Sequence, residues 1–395
     1  MSLVTDRERM LAGGRLSDWT EEQDDYSSGD PWLEINLNNI KWNLGQLRKK
    51  VRGRPIMAVL KCNAYGHGLV GVAKFLEGLP ISGIAVGRLN EAIVLRKAGI
   101  NCCPILNFGP FSGADAEKIV GWRISQSVYT KEVSALNEWA RKLGTRSGVH
   151  IKIDTGLGRV GIPHSEANAY IQSVARLKNI KIEGVFQTFS EDKEFDAIQL
   201  QRFLEVTDRA TQEGIAVGFR HASSSAGIFS YPESYYLDMV RPGISIFGLF
   251  PTHEEYRLKR LELRPALTLK TRVAFVKNLN PGESISYHRR FVANKPEKVV
   301  TVSLGYPDGV PMNLADHAFA LVRGKKFPMF CDLTANHGYL KTAGDADIRI
   351  GDEIVIIGKQ GDQEITVEEL SQAVGLSDYK VLMCLNPNLK RVYLS

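Results

Sequence analysis

The chain has 395 residues, of which 44% are hydrophobic and 24% are charged, a composition typical of a folded protein with a core rather than of a disordered or fibrous one. At this length we expect two domains, a barrel of ordinary size and a smaller unit. The net charge of +6 comes without a basic tract, which argues against nucleic acid and anionic membranes as partners and leaves a small anionic ligand possible.

The N-terminal residues 1–30 are polar and acidic, and we interpret them as a loosely held extension. No run approaches the roughly 20 apolar residues of a membrane span, and the first residues lack the apolar core of a signal peptide. The five cysteines are odd in number and show no CxxC spacing, which argues against a disulfide framework and a zinc site. This use of cysteine fits a location in the reducing cytoplasm. The histidines are scattered without ligand spacing, so we expect no metal.

Residues 31–263 alternate strand-like and helix-like segments. After the strand "PWLEINLNN" and the helical segment "IKWNLGQLRKKV", eight apolar runs follow in order: "IMAVLK", "GIAVGR", "CPILNFG", "ISQSVY", "GVHIKID", "KIEGVFQTF", "GFRHASSS" and "MVRPGISIFGL". Amphipathic stretches with helical spacing lie between these runs. Eight such strands predict an α/β fold with a (β/α)₈ TIM-type barrel rather than an open sheet.

Beyond Arg264 the pattern changes to short β-type runs separated by Gly, Pro, Asp and Asn, such as "ALTLKTRVAFVKNL" and "KVVTVSLGY". Runs of this kind are typical of an all-β unit. The sequence therefore predicts a C-terminal β domain over residues 264–395.

Lys61 ends the first barrel strand, in the stretch "MAVLKCNAYGHG". The carboxyl ends of the strands carry the active site in such barrels. A strand-end lysine most often extends its amine to water, but at the apolar mouth of a barrel an amine loses hydration, which favours the form that makes a Schiff base. His67 is expected to open the next helix rather than to act as an acid or base.

The last two barrel strands run into "HASSSAG" and "MVRPGI". Loops at these positions often hold a phosphate, for which Ser225, Gly243 and Ile244 offer a hydroxyl and backbone N–H groups, although a helix cap explains the serines equally well. Arg241 lies in an apolar strand, where an unpaired charge is costly, so it needs an anion or a strong acceptor. A lysine, a phosphate site and a strand-end arginine together suggest pyridoxal phosphate.

Five segments, in order along the chain, resemble motifs of the alanine racemase family, which are fold-type III pyridoxal phosphate enzymes. "AVLKCNAYGHG" resembles the cofactor-lysine motif, "VHIKIDTGLGRVG" the fifth strand, "MVRPGISIFGL" the eighth, and "ESISYHRRF" with "VSLGYPDG" the region of the catalytic tyrosine. The resemblance covers nearly everything from Trp32 to Tyr393. It implies a racemase that interconverts L- and D-alanine with pyridoxal 5'-phosphate.

The resemblance also implies how the cofactor is held. Lys61 would bind it covalently, and Arg241 would face the pyridine nitrogen and leave it unprotonated, because a guanidinium does not readily give up its proton. Arg159 would approach the phenolic oxygen and the substrate, while Lys152 matches a lysine that is carbamylated in some relatives, an ordinary strand lysine being the equal alternative. The phosphate would be held by Tyr65, Ser225 and the backbone of Gly243 and Ile244.

Racemisation needs a base on each face of the substrate's α-carbon, and one lysine reaches only one face. In the family the second base is a tyrosine from the partner subunit, which "SISYHRRF" places at Tyr287. Tyr306 would line the same entrance, and Ala335 would offer its backbone N–H to the substrate carboxylate. The resemblance therefore implies a head-to-tail homodimer with shared active sites.

Three positions depart from the family pattern. Thr188 stands where the sixth strand usually ends in a histidine that stacks on the pyridine ring. Ala335, between Thr334 and Asn336, replaces the methionine of a Cys-Met-Asp sequence, and Pro387 stands about where alanine racemases have a tyrosine that narrows the pocket. Because these changes affect the substrate side, a racemase of serine or larger amino acids is an alternative.

Three further interpretations compete with a racemase. They are a non-catalytic pyridoxal phosphate carrier with a single barrel, a related decarboxylase, and a Schiff-base aldolase barrel. The carrier and the aldolase need no β domain, and the decarboxylase would lack the "SYHRRF" region. The sequence favours the racemase on these grounds.

Overall fold

The structure is a computed structural model that describes residues 30–342 and 346–395. The predicted N-terminal extension therefore lies outside the described residues, apart from Asp30. The described chain opens with strand β1 (Trp32–Asn36) and helix α1 (Leu37–Lys50). Helix α1 begins directly after the strand because the side chain of Asn36 accepts a hydrogen bond from the N–H of Asn39.

Eight parallel strands form the predicted barrel, and each of the eight apolar runs contributes one of them. An isolated parallel bridge between Ile56 and Val240 brings the last strand next to the first. The two-residue strand β7 (Ile162–Pro163) is not one of the eight barrel strands and pairs with one of them, β6 (Ser147–Asp154). The barrel strands are β2 (Met57–Val59), β3 (Gly83–Val86), β4 (Ile105–Asn107), β5 (Ser125–Val128), β6 (Ser147–Asp154), β8 (Ile180–Phe186), β9 (Phe219–Ser224) and β10 (Met239–Arg241). The (β/α)₈ prediction is confirmed.

The helices that alternate with these strands bury one face against them. In α5 (Val133–Lys142), Val133, Leu136 and Ala140 are buried at helical spacing. Two basic residues in its last turn stabilise the negative end of the helix dipole. The remaining helices of this half are α2 (Leu69–Glu77), α3 (Leu89–Lys97), α4 (Ala116–Gly121), α5 (Val133–Lys142), α6 (His164–Ala175), α7 (Lys193–Gln212), α8 (Ser225–Ser230) and α9 (His253–Leu258). In the described part of the chain, no helix combines the length and the apolar character that a bilayer crossing requires.

The C-terminal part forms the predicted β domain, in which antiparallel pairs predominate. The longest strand of the domain is β11 (Leu267–Leu279). Its first half pairs with β1 and with β18 (Glu353–Gln360), and its second half pairs with β14 (Glu297–Val302), so β11 connects these strands. The strands are β11 (Leu267–Leu279), β12 (Ser284–Ile285), β13 (Phe291–Val292), β14 (Glu297–Val302), β15 (Phe319–Val322), β16 (Lys325–Pro328), β17 (Gly338–Thr342), β18 (Glu353–Gln360), β19 (Gln363–Ile365) and β20 (Lys390–Leu394), with helices α10 (Val367–Val374) and α11 (Asp378–Cys384).

Strand β1 lies in the sheet of the β domain, antiparallel to β11 and parallel to β20, although it opens the predicted barrel range. The first and the last strands of the described chain are therefore neighbours. The apolar cores of the two units merge into one cluster, which runs from Leu33 through the barrel to Ile357 and Leu389. The predicted domain boundaries themselves stay predictions.

Candidate active site

Lys61 begins a turn that leaves the carboxyl end of β2 in the left-handed region. The four residues after it, Cys62 to Tyr65, all have φ between 53° and 55°. This region costs an L-residue about 1–2 kcal/mol, so a run of four needs contacts that hold it. The turn directs the chain from the strand end to the short loop before α2.

Glu91 at the start of α3 supplies several of those contacts. Its Oε1 accepts from the N–H of Asn63 (3.2 Å), and its Oε2 accepts from the N–H groups of Gly87 (3.0 Å) and Arg88 (3.1 Å). A Cβ on Gly87 would lie 3.3 Å from the Cβ of Lys61. One carboxylate therefore fixes the lysine turn to the end of the neighbouring strand.

His67 closes the same turn from inside the protein. Its Nδ1 lies 3.0 Å from the carbonyl oxygen of Tyr65 and 3.1 Å from that of Ala64, and because carbonyls only accept, Nδ1 carries the hydrogen. The ring is fully buried and stacks on Phe247 at 4.1 Å. Burial lowers the pKa of His67 to about 4, so the ring is neutral at physiological pH. Helix α2 begins two residues later, at Leu69.

Tyr65, Ser225 and Gly243 meet beside Lys61, whose Nζ lies 5.8 Å from the centre of the Tyr65 ring. A Cβ on Gly243 would lie 2.2 Å from the Tyr65 hydroxyl oxygen, so only glycine fits there. Ser225 Oγ accepts from the N–H groups of Gly243 (3.1 Å) and Ser245 (3.4 Å), which leaves its own O–H free to donate. Burial raises the pKa of Tyr65, so its hydroxyl also keeps its proton. Buried Ile244 follows Gly243 directly.

Arg241 is buried at the end of β10, and the acceptors that it contacts are neutral. Its Nη1 donates to His221 Nδ1 (2.9 Å), and its Nη2 donates to the carbonyl oxygens of Gln187 and Ala222 (2.9 Å each). Since His221 accepts at Nδ1, its hydrogen is on Nε2, which donates to His150 Nδ1 (2.9 Å). Burial lowers the pKa of Arg241 to about 9, which leaves it charged at neutral pH.

Phe186 lies beside Arg241 and Lys152 in the barrel interior. Its ring is parallel to that of His221 at 5.0 Å, with the Arg241 guanidinium 5.4 Å and Lys152 Nζ 4.9 Å from its centre. Lys152 is buried and donates to Thr188 Oγ1 (2.8 Å). Burial, together with the charges of Arg241 and Arg159, lowers the pKa of Lys152 well below its ordinary value.

Two of the residues discussed from the sequence lie at the edge of this site. Arg159 is exposed in the loop after β6. Pro387 is exposed before β20, and its carbonyl accepts from Arg391 Nη1 (2.8 Å), whose Nε donates to the carbonyl of Gly66 (3.0 Å). Arg391 therefore joins the Pro387 loop to the lysine turn.

The barrel mouth fits pyridoxal phosphate. The hydroxyls of Tyr65 and Ser225, which lie against the backbone of Gly243, form an anion cradle because both can donate a hydrogen. Lys61 supplies an amine, and Arg241 supplies a charged donor whose contacts to His221 and to two carbonyl oxygens are with neutral acceptors. The structure brings Lys61, Tyr65, Ser225, Arg241, Gly243 and Ile244 to one end of the barrel.

A second site lies in the β domain, where Tyr287, Tyr306 and Ala335 line a cleft of about 740 Å³. Tyr287 is 75% exposed and Tyr306 is 44% exposed. A Cβ on Gly305 would lie 1.8 Å from the carbonyl oxygen of Ala335, so the two loops approach more closely than a side chain allows. The described residues that line this cleft all belong to the β domain, and Lys61 is not among them.

Three structural partners of the site were missed by sequence reasoning. His221 was counted among the scattered histidines, and neither His150 nor Glu91 was singled out. The alternation of His221 and Ser223 along β9, with Ser225 directly after the strand, was the available signal for His221, since alternate residues of a strand share a face. Glu91 gave no signal, because its partners are backbone N–H groups of the lysine turn and of the residues after β3, and their approach arises from tertiary structure.

Two family models match the chain. The model described as "Alanine racemase, N-terminal domain" matches residues 35–251, and the one described as "Alanine racemase, C-terminal domain" matches residues 266–393. Together they span the barrel and the β domain.

Curated and solved proteins give the same result. An alanine racemase of Carboxydothermus hydrogenoformans is 36% identical over 369 residues, which cover 92% of this chain and 99% of that protein. The solved alanine racemase of Clostridium difficile 630 is 33% identical with a TM-score of 0.87, covering 92% of this chain and 96% of that one. The alanine racemase of D-cycloserine-producing Streptomyces lavendulae is 28% identical with a TM-score of 0.86, covering 93% and 97%.

Proposed function

The chain belongs to the alanine racemase family, and from this membership we propose that it interconverts L- and D-alanine with two bases, Lys61 and Tyr287 of the partner subunit. It is an amino-acid racemase of a pyridoxal-dependent family. The single observation that carries the assignment is the meeting of Lys61 with an anion cradle and a buried arginine at one barrel mouth.

Pyridoxal 5'-phosphate, when bound, supplies the electron sink that makes the α-proton of an amino acid acidic. Lys61 would hold the cofactor through Nζ until the amino group of the substrate takes its place, and the freed amine would then exchange the α-proton on its own face of the substrate. Tyr65 and Ser225 would donate their hydroxyl hydrogens to the phosphate, and the backbone N–H groups of Gly243 and Ile244 would also contact it, that of Gly243 being shared with Ser225 Oγ. These neutral donors suit a phosphate anion.

Arg241 would donate to the pyridine nitrogen of the bound cofactor. The contacts of Nη1 and Nη2 to His221 and to two carbonyls support a fixed guanidinium that donates without losing its proton. Arg159 approaches the phenolic oxygen of the cofactor and the substrate. Its charge already contributes to the lowered pKa of Lys152, which supports a position near that part of the barrel.

Tyr287 of the partner subunit exchanges the α-proton on the opposite face. The high exposure of this tyrosine in one chain supports the proposal, because its hydroxyl is accessible to a second subunit. Tyr306 of the partner subunit lines the same entrance, and the backbone N–H of the partner subunit's Ala335 binds the substrate carboxylate. The active form is therefore a head-to-tail homodimer.

We also propose that the enzyme works in the cytoplasm on a small-molecule substrate. All five cysteines are free thiols, three of them exposed, which supports a reducing compartment.

The first experiment measures both the racemisation of alanine and the residue to which the cofactor is attached. The protein supplied with pyridoxal phosphate should convert L-alanine to D-alanine, measured by chiral chromatography. Borohydride should fix the cofactor to the peptide that contains Lys61, measured by mass spectrometry. Lys61→Ala should lose both results, whereas Lys49→Ala, a change at an exposed lysine of α1, should lose neither.

Two outcomes would contradict the proposal separately. Fixation on a different lysine would remove Lys61 from its role. A loaded protein that makes no D-alanine would refute the reaction itself.

A further inference from the structure

The proposed second base, Tyr287, lies at the tip of a short hairpin in the β domain. The two strands of this hairpin, β12 and β13, are joined by two residue pairs. In the tip between them, Ser286, His288 and Arg289 have φ values of 64°, 57° and 53°. Because L-residues seldom adopt this left-handed region, the tip needs side-chain contacts that keep its shape.

Asp332 holds the tip on both sides of Tyr287. Its Oδ2 accepts from the hydroxyl of Ser286, directly before the tyrosine (2.6 Å), and its Oδ1 lies 3.0 Å from Nη1 of Arg290. Both contacts involve a charged group, which makes them stronger than hydrogen bonds between neutral groups. The side chain of Asp332 is 23% exposed, so water and salt screen these contacts less than those of a fully exposed pair.

Asp332 is itself anchored in the β domain. The residue before it, Cys331, is buried, and its N–H donates to Oδ1 of Asp316 (3.1 Å). One residue earlier, the N–H of Phe330 donates to the carbonyl oxygen of Tyr339 in β17 (3.1 Å). The carboxylate therefore connects the hairpin tip to the sheet that contains β17.

The position of the Tyr287 hydroxyl depends on this backbone. The tyrosine is 75% exposed, so packing of its own ring in one chain does little to fix it. A base must come within hydrogen-bond distance of the proton that it removes. We infer that Asp332 is a positioning residue for racemisation, because its carboxylate holds Ser286 and Arg290 and so keeps the Tyr287 hydroxyl in reach of the α-proton. This inference rests on the proposed role of Tyr287 and adds to it the residue that orients the second base.

Deuterium labelling of alanine by the holoenzyme in D₂O tests the inference. Lys61 alone can take the α-proton from one enantiomer and return deuterium to the same face, whereas inversion also requires Tyr287. Asp332→Ala should therefore slow inversion by about tenfold or more, because a misplaced base loses its proton transfer. The ratio of labelling to inversion for that enantiomer should rise by about threefold or more, because Lys61 still works. Chiral chromatography with mass spectrometry measures both rates.

Tyr287→Phe in the same assay separates the inference from the proposed function. A higher ratio in Tyr287→Phe and an unchanged ratio in Asp332→Ala would overturn the inference alone, since the loss in Asp332→Ala would then affect both faces equally. A ratio that Tyr287→Phe does not raise either would overturn the proposed role of Tyr287 and the inference with it.

Variants that remove one contact at a time assign the effect to the carboxylate. Ser286→Ala and Arg290→Met should each raise the ratio of labelling to inversion less than Asp332→Ala does, and they test the inference even if Asp332→Ala folds poorly. Asp332→Asn, which keeps an acceptor for Ser286, should lie between Asp332→Ala and the unmodified enzyme. Asp362→Ala is the matched control, because Asp362 is exposed in the turn between β18 and β19 and does not line the cleft.

Amide hydrogen exchange of the protein itself gives a readout that does not depend on turnover. In Asp332→Ala, exchange should be faster by about tenfold in the peptide that contains residues 286–290, because the tip opens more often without its contacts. The peptide that contains Lys61 should exchange as in the unmodified enzyme. Unchanged exchange at residues 286–290 would show that the tip keeps its shape without Asp332 and would overturn the inference.

Discussion

Arg241 depends on histidines that stay neutral. His221 can accept from the guanidinium only while its Nδ1 is free of hydrogen, and His150 can accept from His221 only under the same condition. Burial and the charge of Arg241 lower the pKa of His150 to about 3 and that of His221 well below its ordinary value. The buried charge of Arg241 and the neutrality of the two rings therefore support each other.

These histidines predict how stability changes with pH. An unfolded histidine has a pKa of about 6.5, and burial lowers it to about 4 for His67 and further for His150 and His221. The unfolded state then binds more protons below pH 6.5, so the free energy of unfolding should fall as the pH drops from about 6.5 toward 4. The limiting slope is about 1.4 kcal/mol per pH unit for each histidine.

Urea unfolding of the holoenzyme at a series of pH values measures this slope. His67→Asn, which keeps a donor for the two carbonyls, should lower the slope by the contribution of one histidine. His253→Gln, at an exposed position, should leave it unchanged. A slope that His67→Asn does not alter would mean that His67 binds its proton equally in both states.

At the scale of elements, the lysine turn is held by α3. The three N–H groups that Glu91 accepts belong to the turn and to the end of β3, so its carboxylate connects two strand ends of the barrel. Glu91→Ala should leave these groups without their charged acceptor. Because the site is partly exposed, we expect a loss of about 2 kcal/mol in stability and weaker binding of pyridoxal phosphate.

Thermal unfolding and a cofactor titration check this prediction together. Glu117→Ala, a change at an exposed carboxylate of α4, should alter stability by less than about 0.5 kcal/mol and leave cofactor affinity unchanged. If Glu91→Ala bound the cofactor as tightly as the unmodified enzyme, the turn would hold its shape without α3.

The elements that the sequence predicted are those with a repeated pattern. The eight barrel strands follow from apolar runs at regular intervals, and each is present. The position of β1 could not be predicted, because five alternating residues do not specify which sheet they join. The left-handed turn from Cys62 to Tyr65 could not be predicted either, because such a conformation normally requires glycine and this segment has none.

The candidate site also contains residues that the sequence could identify and residues that it could not. Lys61 and Arg241 could be chosen from the sequence because each places a charged side chain at the end of an apolar strand, and Ser225 because it follows a strand at the position where such barrels often hold a phosphate. His150 could not be chosen, because its role depends on His221. The two histidines lie on different barrel strands, β6 and β9, and come within hydrogen-bond distance only in the folded barrel. Pairings of this kind arise from tertiary structure alone.

At the scale of the whole molecule, the proposed catalytic groups occupy two places in one chain. Lys61 lies at the barrel mouth, and Tyr287 lies in a cleft lined by described residues of the β domain. A head-to-tail arrangement of two copies would place each cleft over the other barrel and complete two sites at once. A two-fold symmetric interface has this property, because each contact occurs twice.

Mixing two inactive variants tests this arrangement. In a hybrid dimer of a Lys61→Ala subunit and a Tyr287→Phe subunit, one site has both bases and the other has neither. Random exchange in an equal mixture makes about half of the dimers hybrids, so about a quarter of the unmodified activity should return. Chiral chromatography of alanine measures the recovery, and native mass spectrometry of the mixture measures the exchange. If hybrids form and no activity returns, then Lys61 and Tyr287 do not act in the same site across the dimer, because two bases supplied by one chain would leave every dimer in the mixture with an incomplete pair.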